Sequence, residues 1–100
     1  MSTDANAAKH VIHDKLESQV NTAAAKLDTL KAQAETAKAN VEIKAIAELL
    51  PKKVAMQLKL QELKKSGEDR FQQAKADLET QVAAFEKAVK GIESKIKAHA

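Results

Sequence analysis

The side chains best suited to chemistry in this sequence are two histidines near its beginning. His10 and His13 are three residues apart, which places both on one side of a helix, with Asp14 and Glu17 close by. Imidazole and carboxylate groups bind zinc when three or four of them converge on one ion. The spacing fixes only two such ligands, so we expect solvent-facing histidines and predict no metal site. Partial burial of His13 is an alternative, because it falls at a position where the heptad pattern predicts the seam.

A second candidate is the pair of adjacent carboxylates Glu68 and Asp69. Consecutive residues of a helix point in different directions, and general acid–base catalysis requires a site that shifts a pKa. The sequence also lacks a glycine-rich phosphate loop, a nucleophile elbow and a His-Glu-x-x-His motif, and it contains no cysteine. We therefore predict a protein that is not an enzyme, with no catalytic residues and no cofactor.

Positive charge is concentrated just after the only proline, Pro51. Glu62 is the only acidic residue among the lysines of this segment. Such a cluster can bind an anionic lipid, a storage-granule surface or nucleic acid, and it can equally keep an apolar segment in solution. The candidate anionic contacts are Lys52, Lys53, Lys59, Lys64 and Lys65.

The charge pattern as a whole does not favour nucleic acid as a partner. The net charge is +3, from 17 basic and 14 acidic residues that are mixed along the chain. Domains that bind nucleic acid concentrate their basic residues and use arginine for bidentate contacts, whereas Arg70 is the only arginine here.

The N-terminal segment does not resemble a signal peptide, because it lacks a basic start followed by an apolar run. No window approaches the roughly 18 continuous apolar residues of a membrane span. The default expectation is a cytoplasmic protein.

The composition indicates long helices. The chain is 44% hydrophobic, but twenty of its 100 residues are alanine, and two phenylalanines are its only aromatic residues. Two glycines and one proline leave few helix breakers. An alanine-rich chain that is also rich in lysine, glutamate and leucine is typical of helices and coiled coils. We predict one all-α domain covering residues 1–100.

Two runs of apolar residues at three- and four-residue spacing flank Pro51 and predict a coiled-coil hairpin of two long antiparallel helices. Proline suits the first turn of a helix but costs about 3 kcal/mol in a helix interior. The predicted arms are therefore residues 4–49 and 52–98, with the turn at 50–51. The predicted seam between them consists of Leu16, Val20, Leu27, Leu30, Ala34, Val41, Leu60, Leu63, Gly67, Phe71, Leu78, Val82 and Phe85.

An alternative break lies in residues 64–69, KKSGED. Gly67 suits the left-handed position that ends a helix, and Ser66 with Asp69 forms a capping-box pattern. We favour the turn at Pro51, because the apolar spacing stays in helical phase across residues 64–69 and the arms are then of equal length.

The middle of the chain, Val41–Leu63, carries more apolar surface than one hairpin needs. A helix that is apolar over a wide arc requires more than one partner. We therefore predict a homodimer in which two hairpins overlap at their tips and form a four-helix bundle, since closed twofold dimers are the most common oligomers. The predicted dimer interface consists of Ile43, Ile46, Leu49, Leu50, Val54 and Leu58.

These observations predict a structural or interaction protein that self-associates and presents long helical arms to other proteins, whose identity the sequence does not specify. The alternative is an amphipathic-helix protein that binds a lipid or storage-granule surface, and a weak nucleic-acid binder is less favoured. The alanine- and lysine-rich amphipathic helices resemble, in composition only, those of phasins, stress-related coiled coils and apolipoprotein-like chains. Phasins coat storage granules, so this resemblance bears on the surface-binding alternative.

Overall fold

The chain folds into three α-helices in a computed structural model that describes the backbone of residues 2–99 and the side chains of residues 9–67 and 69–98. The helices are α1 (Ser2–Thr36), α2 (Asn40–Lys65) and α3 (Glu68–His99). The described part of the chain contains no strand. The prediction of an all-α protein is confirmed.

The three helices pack side by side around one core. Because both connections are short, α2 runs antiparallel to α1 and to α3, and each helix packs against the other two. The resulting bundle measures 55 × 18 × 15 Å. Most of the predicted seam residues lie in this core, where they are joined by Ala23, Ala39, Ile46, Leu49, Met56, Ala74, Val89, Ile92 and Ile96. Two predicted seam residues, Val41 and Gly67, are exposed instead.

The predicted turn at 50–51 is wrong, because Pro51 lies inside α2. The chain instead turns at residues 37–39 and 66–67, which interrupt the predicted arms 4–49 and 52–98. Proline has no N–H to donate to the carbonyl of Ala47, four residues earlier. Pro51 and Ala47 are both exposed, so water can hydrate that carbonyl, and this side of α2 tolerates the proline.

The four-helix bundle between two hairpins is not confirmed. The four-helix bundle is predicted because two helices alone leave apolar surface that a second chain would have to cover. The third helix covers much of that surface within one chain, since α1, α2 and α3 contribute to the same core. A contact between copies would therefore have to use the outside of a three-helix bundle.

The first turn ends α1 by a Schellman motif centred on a lysine. Lys38 has a φ of 56°, in the left-handed region. The Ala39 N–H donates to the Ala34 carbonyl at 2.9 Å, and the Lys38 N–H donates to the Glu35 carbonyl at 3.2 Å. Ala34 and Ala39 are both buried and supply the apolar contact that accompanies this motif. Glycine usually occupies the left-handed position, so its absence hid the turn from sequence analysis.

Replacing Lys38 with glycine is expected to stabilise the protein by about 1 kcal/mol. A left-handed conformation costs a non-glycine residue about 1–2 kcal/mol, and the greater flexibility of glycine in the unfolded chain offsets part of that gain. The free energy of unfolding from urea denaturation measures the change. Lys31→Gly is the matched control, since Lys31 lies exposed inside α1 and the same substitution there should cost about 1 kcal/mol. Destabilisation by both variants would contradict the turn at Lys38.

The alternative break in the KKSGED segment is present. Ser66 ends α2 in an extended conformation, with φ −73° and ψ 144°, and its hydroxyl donates to the Leu63 carbonyl at 2.8 Å. The Phe71 N–H donates to the Gly67 carbonyl at 2.9 Å, which begins α3. Gly67 does not have a positive φ, so the left-handed glycine cap expected here does not form.

Candidate interaction surface

Helix α2 carries apolar residues on two sides. Its inner side contributes Ile46, Leu49, Met56, Leu60 and Leu63 to the core. A second row is spaced by four, three, four and four residues, which places its members along one line of the helix surface. We call this row the outer stripe, and it consists of Ile43, Ala47, Leu50, Val54 and Leu58.

The outer stripe is accessible over most of its length. Val54 is 50% exposed and Leu58 is 59% exposed. Ile43 and Leu50 are half-buried at the edge of the core, and Ala47 is exposed between them. A continuous row of aliphatic side chains on the outside of a bundle is unlike the scattered apolar residues that are normal on protein surfaces.

The outer sides of the other two helices are different. Among the described residues, the exposed large apolar side chains are Val11, Val41, Val54 and Leu58. Only Val11 belongs to α1, and none belongs to α3. The apolar surface that the core leaves over is therefore concentrated on α2.

The structure divides the predicted dimer interface into two sets. Ile46 and Leu49 are 1% and 5% exposed and belong to the core of their own chain, so a second chain cannot reach them. The other four residues are wholly or partly accessible on the outer stripe: Ile43, Leu50, Val54 and Leu58. All six predicted residues belong to α2, and the predicted turn at Pro51 prevented the sequence from assigning them to its two sides.

The five lysines predicted to contact an anionic partner fall into two sets, those in ion pairs with carboxylates and those exposed to solvent. Lys53 Nζ lies 3.8 Å from Asp28 Oδ1 of α1. Lys59 Nζ lies 3.3 Å from Asp77 Oδ2 of α3 and 3.4 Å from Glu62 Oε2. These two lysines attach α2 to its neighbours and are partly neutralised. The remaining three are exposed: Lys52, Lys64 and Lys65.

The ion pairs of Lys59 affect its protonation. Burial acts to lower its pKa, but the hydrogen bonds from its ammonium group to Asp77 and Glu62 favour the charged form and outweigh burial, so the pKa is raised. Lys59 therefore keeps its charge but directs it toward α3 and Glu62.

The two histidines lie at the end of the bundle where α2 passes into α3. His10 Nε2 is 3.3 Å from Asp14 Oδ2, and His13 Nδ1 is 3.6 Å from Asp14 Oδ1. They border an open cavity of about 430 Å³ that Leu63 and Phe71 also line. Within the described part of the chain, no three histidine or carboxylate side chains are grouped so that they could hold a metal ion.

The carboxylates considered for acid–base chemistry occupy the start of α3. Asp69 is exposed there, and the side chain of Glu68 lies outside the described residues. A carboxylate in the first turn of a helix is stabilised by the helix dipole.

A shallow groove of about 310 Å³ lies between α1 and α3. Ala23 and Val89 contribute to its lining, and one ion pair joins its two sides, with Lys26 Nζ 2.6 Å from Glu93 Oε2. The hydrogen bond from Lys26 lowers the pKa of Glu93, against the opposing effect of burial. This ion pair joins two helices that are not adjacent in the sequence.

The lowered pKa of Glu93 predicts a loss of stability in acid. A carboxylate whose pKa is lower in the folded state stabilises the fold above its unfolded pKa, and that contribution disappears as the pH falls through the folded pKa. The free energy of unfolding should therefore fall more steeply below pH 4.5 in the wild type than in Glu93→Gln, in urea denaturation at low salt. Glu79→Gln is the matched control, because Glu79 is exposed on α3. Parallel pH curves for the wild type and Glu93→Gln would contradict the prediction.

No family model, curated protein or solved structure matches this chain. None of the described helices combines the length and apolarity needed to span a membrane.

Proposed function

We propose that this chain is a non-enzymatic interaction protein, a three-helix bundle whose outer stripe on α2 packs against the helical surface of a partner. The observation that carries the proposal is the outer stripe itself. Helices associate by placing such rows of side chains into the grooves of a facing helix, with axes 8–10 Å apart.

The energetics support this role. Burying a valine or leucine side chain fully stabilises a complex by about 1.5–3 kcal/mol. Val54 and Leu58 are half exposed or more. Burial of the exposed part of each side chain against a partner would therefore stabilise the complex by about 1 kcal/mol. The long, narrow bundle then presents α1 and α3 on the far side of the contact, as helical arms open to further proteins.

A photo-cross-linking amino acid placed at position 54 tests the proposal in living cells. We expect it to form adducts with polypeptides, because Val54 lies in the middle of the outer stripe. Position 29 is the control, since Thr29 is exposed on α1. Equal labelling of polypeptides from the two positions would reject the outer stripe as the contact surface.

The alternative function is binding to a lipid or storage-granule surface. The exposed Lys65 favours it, because it lies two turns beyond Leu58 on the same side of α2, and a lysine near an apolar stripe attracts anionic surfaces. Co-sedimentation with vesicles that contain anionic lipid distinguishes the two functions. Binding to such vesicles, with loss of binding in Val54→Lys, would favour the lipid-surface function over protein binding.

A contribution from nucleic acid would instead appear as a steep salt dependence of binding to an oligonucleotide.

A further inference from the structure

We infer that the partner of the outer stripe is a second copy of this chain, packed antiparallel so that the two α2 helices lie against each other across a twofold axis. This inference rests on the proposed function, because it names the partner of the same surface. Two independent features of α2 support it: the order of large and small residues along the stripe, and the positions of two opposite charges beside it.

The order of residues from Ala47 to Leu58 along the stripe is self-complementary. An antiparallel pair with its axis near residue 52 brings together positions whose numbers add to about 104 or 105. Leu50 then faces Val54 of the second copy, and Ala47 faces Leu58. The Ala47–Leu58 pair sets a small residue against a large one, and the Leu50–Val54 pair sets a large residue against a medium one, which suits close packing of two helices.

The charges beside the stripe are centred within one residue of the same axis, since the numbers of Lys44 and Glu62 add to 106. Lys44 and Glu62 are 18 residues apart, which is five helical turns, so they lie on the same flank of α2 about 27 Å from each other. Both are exposed, and Glu62 remains 61% exposed although Lys59 also approaches it. A twofold axis perpendicular to the helices places the same flank of both copies together. Lys44 of each copy then lies across from Glu62 of the other, in two identical ion pairs.

The size of the surface limits the affinity. The stripe and its flanking charges cover about 27 Å of one helix, which is at the small end of specific interfaces. We expect a reversible dimer with a dissociation constant on the order of 10–100 μM. An interface of this strength responds measurably to a single charge.

Light scattering over a concentration series measures the dimer. The wild-type mass should rise from 10.8 kDa to twice that value. Lys44→Glu and Glu62→Lys should each weaken dimerisation about tenfold, because each replaces two attractive pairs with two repulsive ones. The double variant should restore it. Lys87→Glu is the matched control, since Lys87 is exposed on α3 and should leave dimerisation unchanged.

Disulfide cross-linking determines the orientation, because the wild-type chain has no cysteine. The antiparallel pair places Ile43 opposite Gln61 of the second copy. A mixture of the Ile43→Cys and Gln61→Cys chains should therefore form a cross-linked dimer much faster than either chain alone, since a disulfide requires Cα atoms within about 7 Å. Circular dichroism verifies that both variants fold.

Two results would overturn the inference. One is a wild-type chain that stays monomeric up to about 1 mM, well above the expected dissociation constant. The other is rapid cross-linking of Ile43→Cys with itself, which would indicate a parallel pair. In either case adducts from position 54 with a different polypeptide would leave the proposed function standing. Failure of both cross-linking at position 54 and dimerisation would remove the proposed function as well.

Discussion

Replacing Pro51 with alanine is expected to raise the free energy of unfolding by about 2–3 kcal/mol. Proline inside a helix removes a backbone hydrogen bond, and its ring crowds the preceding turn, at a cost of about 3 kcal/mol relative to alanine. Pro51 is exposed inside α2, so alanine should restore the bond to Ala47 without disturbing the core. Urea denaturation below the concentration at which the chain dimerises measures the change without a contribution from association.

The matched control is Ala47→Pro, one turn earlier on the same side of α2. It should destabilise the protein by about 3 kcal/mol, because it introduces a second interior proline. If Pro51 began a helix after a hairpin turn, Pro51→Ala would be neutral or destabilising, since proline favours that position. A loss of stability in Pro51→Ala would therefore contradict a continuous α2.

Replacing Ile46 with alanine should lower the free energy of unfolding by about 2–4 kcal/mol. Ile46 is 1% exposed in the core, and truncating a buried isoleucine removes apolar contacts and leaves a cavity. Val54 lies on the other side of α2 and is 50% exposed. Val54→Ala should therefore change stability by less than about 0.5 kcal/mol, as measured by urea denaturation of the monomer.

The two substitutions also separate folding from association. Val54→Ala should weaken dimerisation while leaving the monomer stable, because Val54 belongs to the outer stripe. Ile46→Ala should destabilise the monomer without a specific effect on the interface. Equal costs to monomer stability would show that the two sides of α2 are not distinguished as the structure indicates.

Sequence periodicity was sufficient for the all-α class and for most of the core, but it predicted two helices where the structure has three. The three- and four-residue spacing of α1 placed Leu16, Val20 and Leu27 correctly, since an amphipathic helix buries its apolar side in any bundle. The spacing of α3 did the same for Phe71 and Leu78. Which helices faced each other depended on the turns, and periodicity says little about turns.

The first turn left almost no trace in the sequence. Residues 37–39 contain neither glycine nor proline, and the left-handed position is occupied by Lys38. The turn also changes which residues are buried. A continuous seam predicts that Val41 is buried, but Val41 is exposed, and Ala39 and Glu42 on either side of it are buried instead. The buried Glu42 lies in the first turn of α2, where the helix dipole favours a negative charge.

The surplus of apolar residues in Val41–Leu63 was real, but only the structure could divide it. Residues such as Ile46 and Leu49 face the core, whereas Val54 and Leu58 face outward. The two rows lie on different sides of one helix, and which side faces the core is defined only when the neighbouring helices are placed. A single proline near the middle of the chain suggested a symmetric hairpin and concealed this division.

The arrangement of three helices with α2 antiparallel to both others is tested most directly by the distance between spin labels at positions 11 and 97. Val11 and Lys97 are both exposed, and excess unlabelled chain removes distances between copies. The three-helix bundle places these positions near opposite ends of the molecule, so we predict about 35 Å, from the rise of 1.5 Å per residue along α1. A hairpin turning at Pro51 would bring them within about 15 Å, and that result would contradict the account.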